Sequence, residues 1–357
     1  MYIGPGAGFA FLGSFLSLVS AVVAGILSMV LWPFRMAWLL FMRPRRARVR
    51  KAIFLGFEGL DPAVTEQLMA EGRLPNLARL SYRRLRTTNP SLPAVAWATF
   101  ATGVNPGMHR VFGAAAVERK SESFWKILGR HAVKSTILLV PGTDSAERFY
   151  GRLLADPPAG FYASYLTKLL GPAAKREEFL FSALDNTRRG VVACVFDSDR
   201  DLDRIVGETL AHVDAETALF VLSDGGRREF RPAVDLNAWL QREGYGSRAY
   251  AAGPAGICVN RKVVSVDEAR VLRKELMAKL TGLVDVYQAT DIYRGPYVSE
   301  APDLVIGYAP LVPGVLFSNL TITVDEPGME DIAPTILGLF GVEAPAWMEG
   351  RSVIASA

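Results

Sequence analysis

The sequence predicts an α/β protein built on an open, mostly parallel sheet with helices on both faces, joined to an N-terminal transmembrane helix. Three observations carry that expectation. Short, almost wholly apolar runs recur at residues 51–57 (KAIFLGF), 135–140 (STILLV), 190–196 (GVVACVF) and 218–222 (ALFVL), as strands covered on both faces require. Helical patterns separate these runs, and alternation of that kind builds parallel sheets. Residues 9–32 carry no charge, and at about 1.5 Å per residue that length spans a bilayer core of about 30 Å.

Charge patterning sets the organisation of the N-terminus. Residues 1–51 hold no Asp or Glu and seven basic residues, Arg35, Arg43, Arg45, Arg46, Arg48, Arg50 and Lys51. Subtracting those seven from the net +4 leaves −3 for residues 52–357, so the basic balance belongs to one segment and no nucleic-acid surface is expected. A cleaved signal peptide carries its cations before the apolar stretch; here they follow it, which favours an uncleaved anchor. Pro33 is expected to interrupt the helix, leaving residues 34–42 (FRMAWLLFM) as an interfacial helix or a second short pass, followed by a basic segment at 43–51. The positive-inside rule then predicts a single-pass protein of the inner (cytoplasmic) membrane with its globular domain in the cytoplasm. Gly13, Ser17, Ala21 and Gly25 recur every four residues, either a ridge for packing against other membrane helices or a second copy, or the ordinary small-residue content of such helices.

Residues 1–50 are thus assigned to the anchor and 51–357 to one α/β domain, large enough to bury a sizeable core. Within it, helical patterns at 63–71 and 75–80 follow the first strand, and the irregular stretch 236–305 reads as an inserted subdomain. Ligands of open parallel sheets sit at the carboxyl ends of strands, where Glu58, Asp197, Asp199, Ser223 and Asp224 fall. Cys194 and Cys258 read as reduced core thiols.

Several motifs stand in one order along the chain: GFEGLDP (56–62), EGRLPNLARL (71–80), PSLPAVAWATFATGVNPGMHRVFG (90–113), VFDSDRDLD (195–203), VLSDGG (221–226) and DIAPTILGLFGV (331–342). Together they resemble the alkaline phosphatase superfamily, type I phosphodiesterase/nucleotide pyrophosphatase branch. The resemblance implies that superfamily's fold and a site of two divalent metals held by Asp and His, with a Ser or Thr attacking phosphorus. Carried over position by position, the nucleophile falls on Pro93, which has no hydroxyl. The metal-ligand positions fall on Glu58, Asp199, Asp203 and Asp224, with Asp203 and Gly225 where the family has histidine. The segment IGYAPLVPGVLF (306–317), near which the family carries its last ligand histidine, contains none.

The three histidines of the chain, His109, His131 and His212, match no ligand position, and His109 in NPGMHR is expected to order a loop. No catalytic residue and no Zn site is therefore expected. Glu58, Asp199, Asp203 and Asp224 form either a residual site for a hard cation (Mg, Mn or Ca) or a set of capping carboxylates neutralised by Arg200, Arg227 and Arg228. Ser91 and Thr99, the hydroxyls flanking Pro93, read as capping or core residues. The expected function is a membrane-anchored, catalytically inactive relative that serves as a scaffold or partner-binding subunit. The alternative is a divalent-metal phosphodiesterase or phosphatase with an altered, carboxylate-rich site.

Overall fold

In a computed structural model, the described residues are 5–41, 46–113, 118–143, 147–154, 174–196, 201–226, 235–307 and 312–355; within the first stretch, side chains are described only at 15–31, 33 and 34. The first of these stretches is one helix, α1 (Pro5–Phe41). It passes through Pro33 without ending, contrary to the expected break before residue 34. A proline interior to a helix removes one N–H donor and bends the axis, but strong helix formers on either side, Leu31 before and Met36 and Ala37 after, keep the next turn helical. Large apolar side chains along α1, including Phe15, Leu16, Val22, Val23, Ile26, Leu27 and Phe34, are exposed. Among the described residues, no helix is long and apolar enough to cross a membrane, so the transmembrane helix expected over 9–32 finds no support here.

Residues 44–357 form a separate compact unit. Its strands are β1 (Lys51–Phe57), β2 (Ser81–Leu85), β3 (Ser135–Leu138), β4 (Gly151–Leu154), β5 (Gly190–Phe196), β6 (Thr217–Leu222), β7 (Ala249–Ala251), β8 (Gly256–Val259), β9 (Asp285–Gln288), β10 (Leu304–Gly307) and β11 (Gly314–Ser318). Seven make one sheet in the order β2-β11-β6-β1-β5-β3-β4. β1 pairs in parallel with β5 and β6, and β3 in parallel with β5 and β4, while β11 runs antiparallel between β2 and β6. The protein is therefore α/β with a mixed sheet, parallel through its centre.

Alternation along β1 explains why both faces are covered. Ala52 and Phe54 face one core, with Trp97, Phe100, Phe124 and Ile336; Ile53, Leu55 and Phe57 face another, with Leu77, Leu180, Leu184 and Ile205. After helix α2 (Pro62–Ala70), helix α3 (Pro93–Thr102) lies so close to β1 that a Cβ at Gly56 would come within 2.2 Å of the Trp97 ring, which makes glycine the residue that fits. The run expected at 135–140 stops at Leu138, because Leu139 turns into the left-handed region with φ 56°. The helix expected over 75–80 is only a short 3-10 turn at Leu77–Arg79. Within residues 249–307, β7-β8-β10-β9 make a second, antiparallel sheet, backed by helices Leu236–Arg242 and Val266–Leu280.

Candidate functional site

The carboxyl ends of β6, β1 and β5 lie side by side, so the residues that follow them share one edge of the sheet. Glu58 follows β1 and is held by its own N–H on the Phe196 carbonyl, 3.1 Å. Ser223 and Asp224 follow β6 and are buried. The Ser223 hydroxyl accepts the Leu60 N–H at 3.0 Å and donates to the Gly225 carbonyl at 2.8 Å, and Asp224 Oδ1 accepts the Gly59 N–H at 3.4 Å. These bonds bring the turns carrying Glu58 and Asp224 together. Asp61, three residues on, caps the helix Pro62–Ala70 by accepting from Ala63 and Val64, with Pro62 at the first helical position.

Above this edge stands the start of α3. Pro93 occupies its first position, where a missing N–H costs nothing and a fixed φ favours the helix. The residue that the resemblance assigns to attack is here a helix initiator. The preceding loop is held by its own hydroxyls: Thr88 donates to the Pro90 carbonyl (2.9 Å), Thr87 to the Asp224 carbonyl, and Thr87 Oγ1 and Ser91 Oγ lie 3.3 Å apart. Tyr293, from beyond the second sheet's β9, donates to the Asn89 carbonyl at 2.7 Å. The Asn89–Pro90 peptide is cis.

Gly225, the position assigned to a ligand histidine, faces this loop. A Cβ there would begin 2.9 Å from Ser91 Oγ and 3.3 Å from the Val312 carbonyl; at Gly226 it would begin 2.4 Å from Val312 Cγ1. The Ser91 hydroxyl and the Val312 carbonyl crowd the point where any side chain at 225 would begin. Asp203, the other position assigned to histidine, is also committed. Its buried carboxylate accepts the N–H groups of Asn76 (3.1 Å) and Leu77 (3.0 Å) and the Asn76 amide (2.9 Å), which ties VFDSDRDLD to the LPN turn. Gly207 permits this approach, since a Cβ there would lie 2.6 Å from the Asn76 amide nitrogen.

Of the four proposed ligands, Glu58 and Asp224 stand on joined turns and Asp203 serves as a cap; Asp199 lies outside the described residues, as do Asp197, Arg200, Arg227 and Arg228. Among the described residues, no three His, Cys, Asp or Glu side chains gather closely enough to hold a metal. The donor set does not fit the two-metal centre that the resemblance implies: a ring stands for the hydroxyl, a hydrogen for one imidazole, and a saturated carboxylate for the other. In the helix-packing ridge, Ser17, Ala21 and Gly25 are exposed, and a Cβ at Gly25 would meet nothing within 4 Å; the side-chain surroundings of Gly13 lie outside the described residues.

His109 is fully buried. Its Nδ1 accepts the Val111 N–H at 3.1 Å, so Nε2 carries the proton and donates to Thr99 Oγ1 at 3.0 Å. Burial first, and the Arg119 charge second, pull its pKa down to about 3, so it is a neutral loop-ordering group and Thr99 is its buried partner. His131 ends the helix Phe124–Arg130, and His212 stacks on Phe181 with Asp185 3.8 Å away. Cys194 and Cys258 are free thiols, and burial pushes Cys194 up to about 12.

Residue-type reasoning missed the groups that lock the site's surroundings. Asn105 Oδ1 accepts from Gly107 (2.8 Å) and Arg294 (3.2 Å), while its own N–H groups reach Glu349. Asp331 accepts from Gly328 and Arg351, both at 2.8 Å, and Thr335 accepts from Val353. The motifs NPGMHR and DIAPT were visible, but their partners lie too far along the sequence for spacing to reveal.

Residues 52–144 match the family model described as type I phosphodiesterase/nucleotide pyrophosphatase. No curated protein matches the sequence. Among solved structures, phosphonoacetate hydrolase from Sinorhizobium meliloti 1021 superposes with a TM-score of 0.60 at 14% identity, covering 84% of this chain and 97% of that one. Murine ectonucleotide pyrophosphatase/phosphodiesterase 5 gives a TM-score of 0.54 at 13% identity, covering 83% and 96%. The alkaline phosphatase PafA gives 0.56 at 13% identity, covering 87% and 99%. At such identities the likeness is one of fold.

Proposed function

We propose that this chain is a non-hydrolytic member of the alkaline phosphatase superfamily, on its type I phosphodiesterase/nucleotide pyrophosphatase branch, and serves as a membrane-anchored scaffold or partner-binding subunit. One observation carries the reading: Pro93 starts α3 where a nucleophile is required, and Ser91, Thr87 and Val312 close over Gly225 where an imidazole is required. Losing the attacking oxygen and the histidine ligands removes two separate contributions to rate, each worth orders of magnitude. Anchoring rests on the sequence, on the uncharged stretch 9–32 and the seven basic residues that close the segment, and on the exposed apolar side chains of α1, not on a membrane-crossing helix among the described residues.

The Asp224 carboxylate, which reaches the Gly59 N–H one residue past Glu58, favours a second reading, a hard-cation phosphodiesterase or phosphatase. Metal analysis of the purified chain separates the two: stoichiometric Mg, Mn or Ca lost with Asp224→Ala supports the second. The scaffold reading is tested by co-purification in mild detergent. Partner chains are expected with the parent protein and are expected to be lost when Gly13→Leu/Gly25→Leu widens the ridge, with insertion and expression unchanged. A double variant that keeps every partner refutes the ridge. Reporters fused after Ala357 are expected to be active in the cytoplasm and silent outside it; the reverse result places the domain outside.

A further inference from the structure

The amino ends of the central strands carry a surface that the superfamily chemistry does not use. Five neighbouring parallel strands, β6, β1, β5, β3 and β4, begin along one edge, and backbone bonds join the residues just before them. Arg50 N–H reaches the Glu216 carbonyl, Gly190 N–H the Arg50 carbonyl, Val191 N–H the Lys134 carbonyl, and Ser135 N–H the Tyr150 carbonyl, at 2.8 to 3.1 Å. Glu216, Arg50, Arg189, Lys134 and Tyr150 therefore form a row, with neighbours about 5 Å apart as strand spacing dictates.

Within three residues before these five strands stand six basic residues, Arg48, Arg50, Lys134, Arg148, Arg188 and Arg189, and two acidic ones, Asp214 and Glu216. Both acids pair with Arg50, at 3.6 and 2.5 Å. Among the described residues, Lys134, Arg148, Arg188 and Arg189 have no carboxylate within ion-pair distance; the nearby acid Asp185 instead faces His212. The four arginines Arg48, Arg148, Arg188 and Arg189 are exposed, and Tyr150 is 43% exposed beside them. Helix dipoles account for cations after Phe124–Arg130 and Ala174–Asn186, but Arg48, Arg50 and Arg148 follow no helix within the described part of this unit.

We propose that this strand-start face docks on the headgroups of anionic lipids. Exposed Arg148, Arg188 and Arg189, without a carboxylate partner among the described residues, together with Lys134 and Tyr150, match a flat anionic surface, where each basic residue near the bilayer contributes roughly fivefold in affinity. The sequence points to the same partner, since only seven positions separate Arg48 from Phe41, the last residue of α1. This rests on the anchoring reading and deepens it: the face holds the domain in one orientation, with the emptied carboxyl-end site turned to the other side of the sheet.

The test uses the full chain in vesicles, with a fluorophore at Tyr150→Cys in a Cys258→Ser background and a quencher on the lipid headgroups. In vesicles with 30% phosphatidylglycerol, quenching is expected to be at least about threefold that in phosphatidylcholine, and to fall to that level in 0.5 M salt, where the Debye length is only about 4 Å. Lys134→Glu/Arg188→Glu/Arg189→Glu is expected to abolish the difference, and Lys134→Arg/Arg188→Lys/Arg189→Lys to keep it. Equal quenching in the two lipids, or a charge-reversed variant that quenches like the parent, overturns the proposal. Anchoring is read separately: a chain that a carbonate wash strips from phosphatidylcholine vesicles refutes the anchor, while the contrast on anionic vesicles still decides the face.

Discussion

At the carboxyl ends of β1, β5 and β6 the sequence supplies carboxylates and no cation within three residues: Glu58, Asp197, Asp199 and Asp224. At the amino ends of β1 and β5 it supplies Arg48, Arg50, Arg188 and Arg189, with no acid within the same distance. One end bears the motifs that carry the family resemblance, and among the described residues Asp203 is committed to the Asn76–Leu77 turn and Pro93 to a helix start. The other bears no motif, only charge and exposure. A motif is legible along the chain, whereas a surface emerges only when topology places distant residues in a row.

The largest expected effect separates the inherited carboxylates from one another. Asp203→Ala leaves the buried N–H groups of Asn76 and Leu77 without an acceptor and is expected to cost roughly 3 kcal/mol in denaturant unfolding. Glu58→Gln, which keeps the side chain's size at the carboxyl-end edge, is expected to cost less than Asp203→Ala. Equal, metal-dependent losses in both variants would restore the view that they are ligands of one site.

His109 gives the next effect. Its folded pKa of about 3 lies below the ordinary value of 6.5, so the unfolded chain binds more protons between these limits. The stability of the neutral, buried form is fully present above pH 6.5 and is lost progressively as pH falls toward 3. His109→Gln is expected to flatten that part of the profile, measured by unfolding at successive pH values; an unchanged slope contradicts a neutral buried imidazole.

A smaller effect tests whether the second sheet's segment holds the emptied site in place. Tyr293→Phe removes the bond to the Asn89 carbonyl and is expected to cost about 1 kcal/mol and to speed amide exchange in residues 87–91. Unaltered exchange there means the loop keeps its shape without that bond.

Much of the fold was legible because β1, β5 and β6 are covered on both faces and read as unbroken apolar runs. β2 (SYRRL) and β4 (GRLL) were not, since edge strands keep arginines on their open side, and β7 to β10 are too short for their alternation to register. At the candidate site, Pro93 and Gly225 were readable as departures from a motif. The role of Asp203 was not, because Asn76 lies 127 positions away and no local pattern announces a cap at that separation.

The central claim is that the carboxyl-end site no longer turns over phosphate esters. Its most direct test is hydrolysis of aryl phosphate mono- and diesters by the full chain in detergent, with Zn, Mn or Mg, beside Asp224→Ala. Rates at background for both chains under all three metals are predicted; metal-dependent turnover by the parent, abolished by Asp224→Ala, would contradict the account.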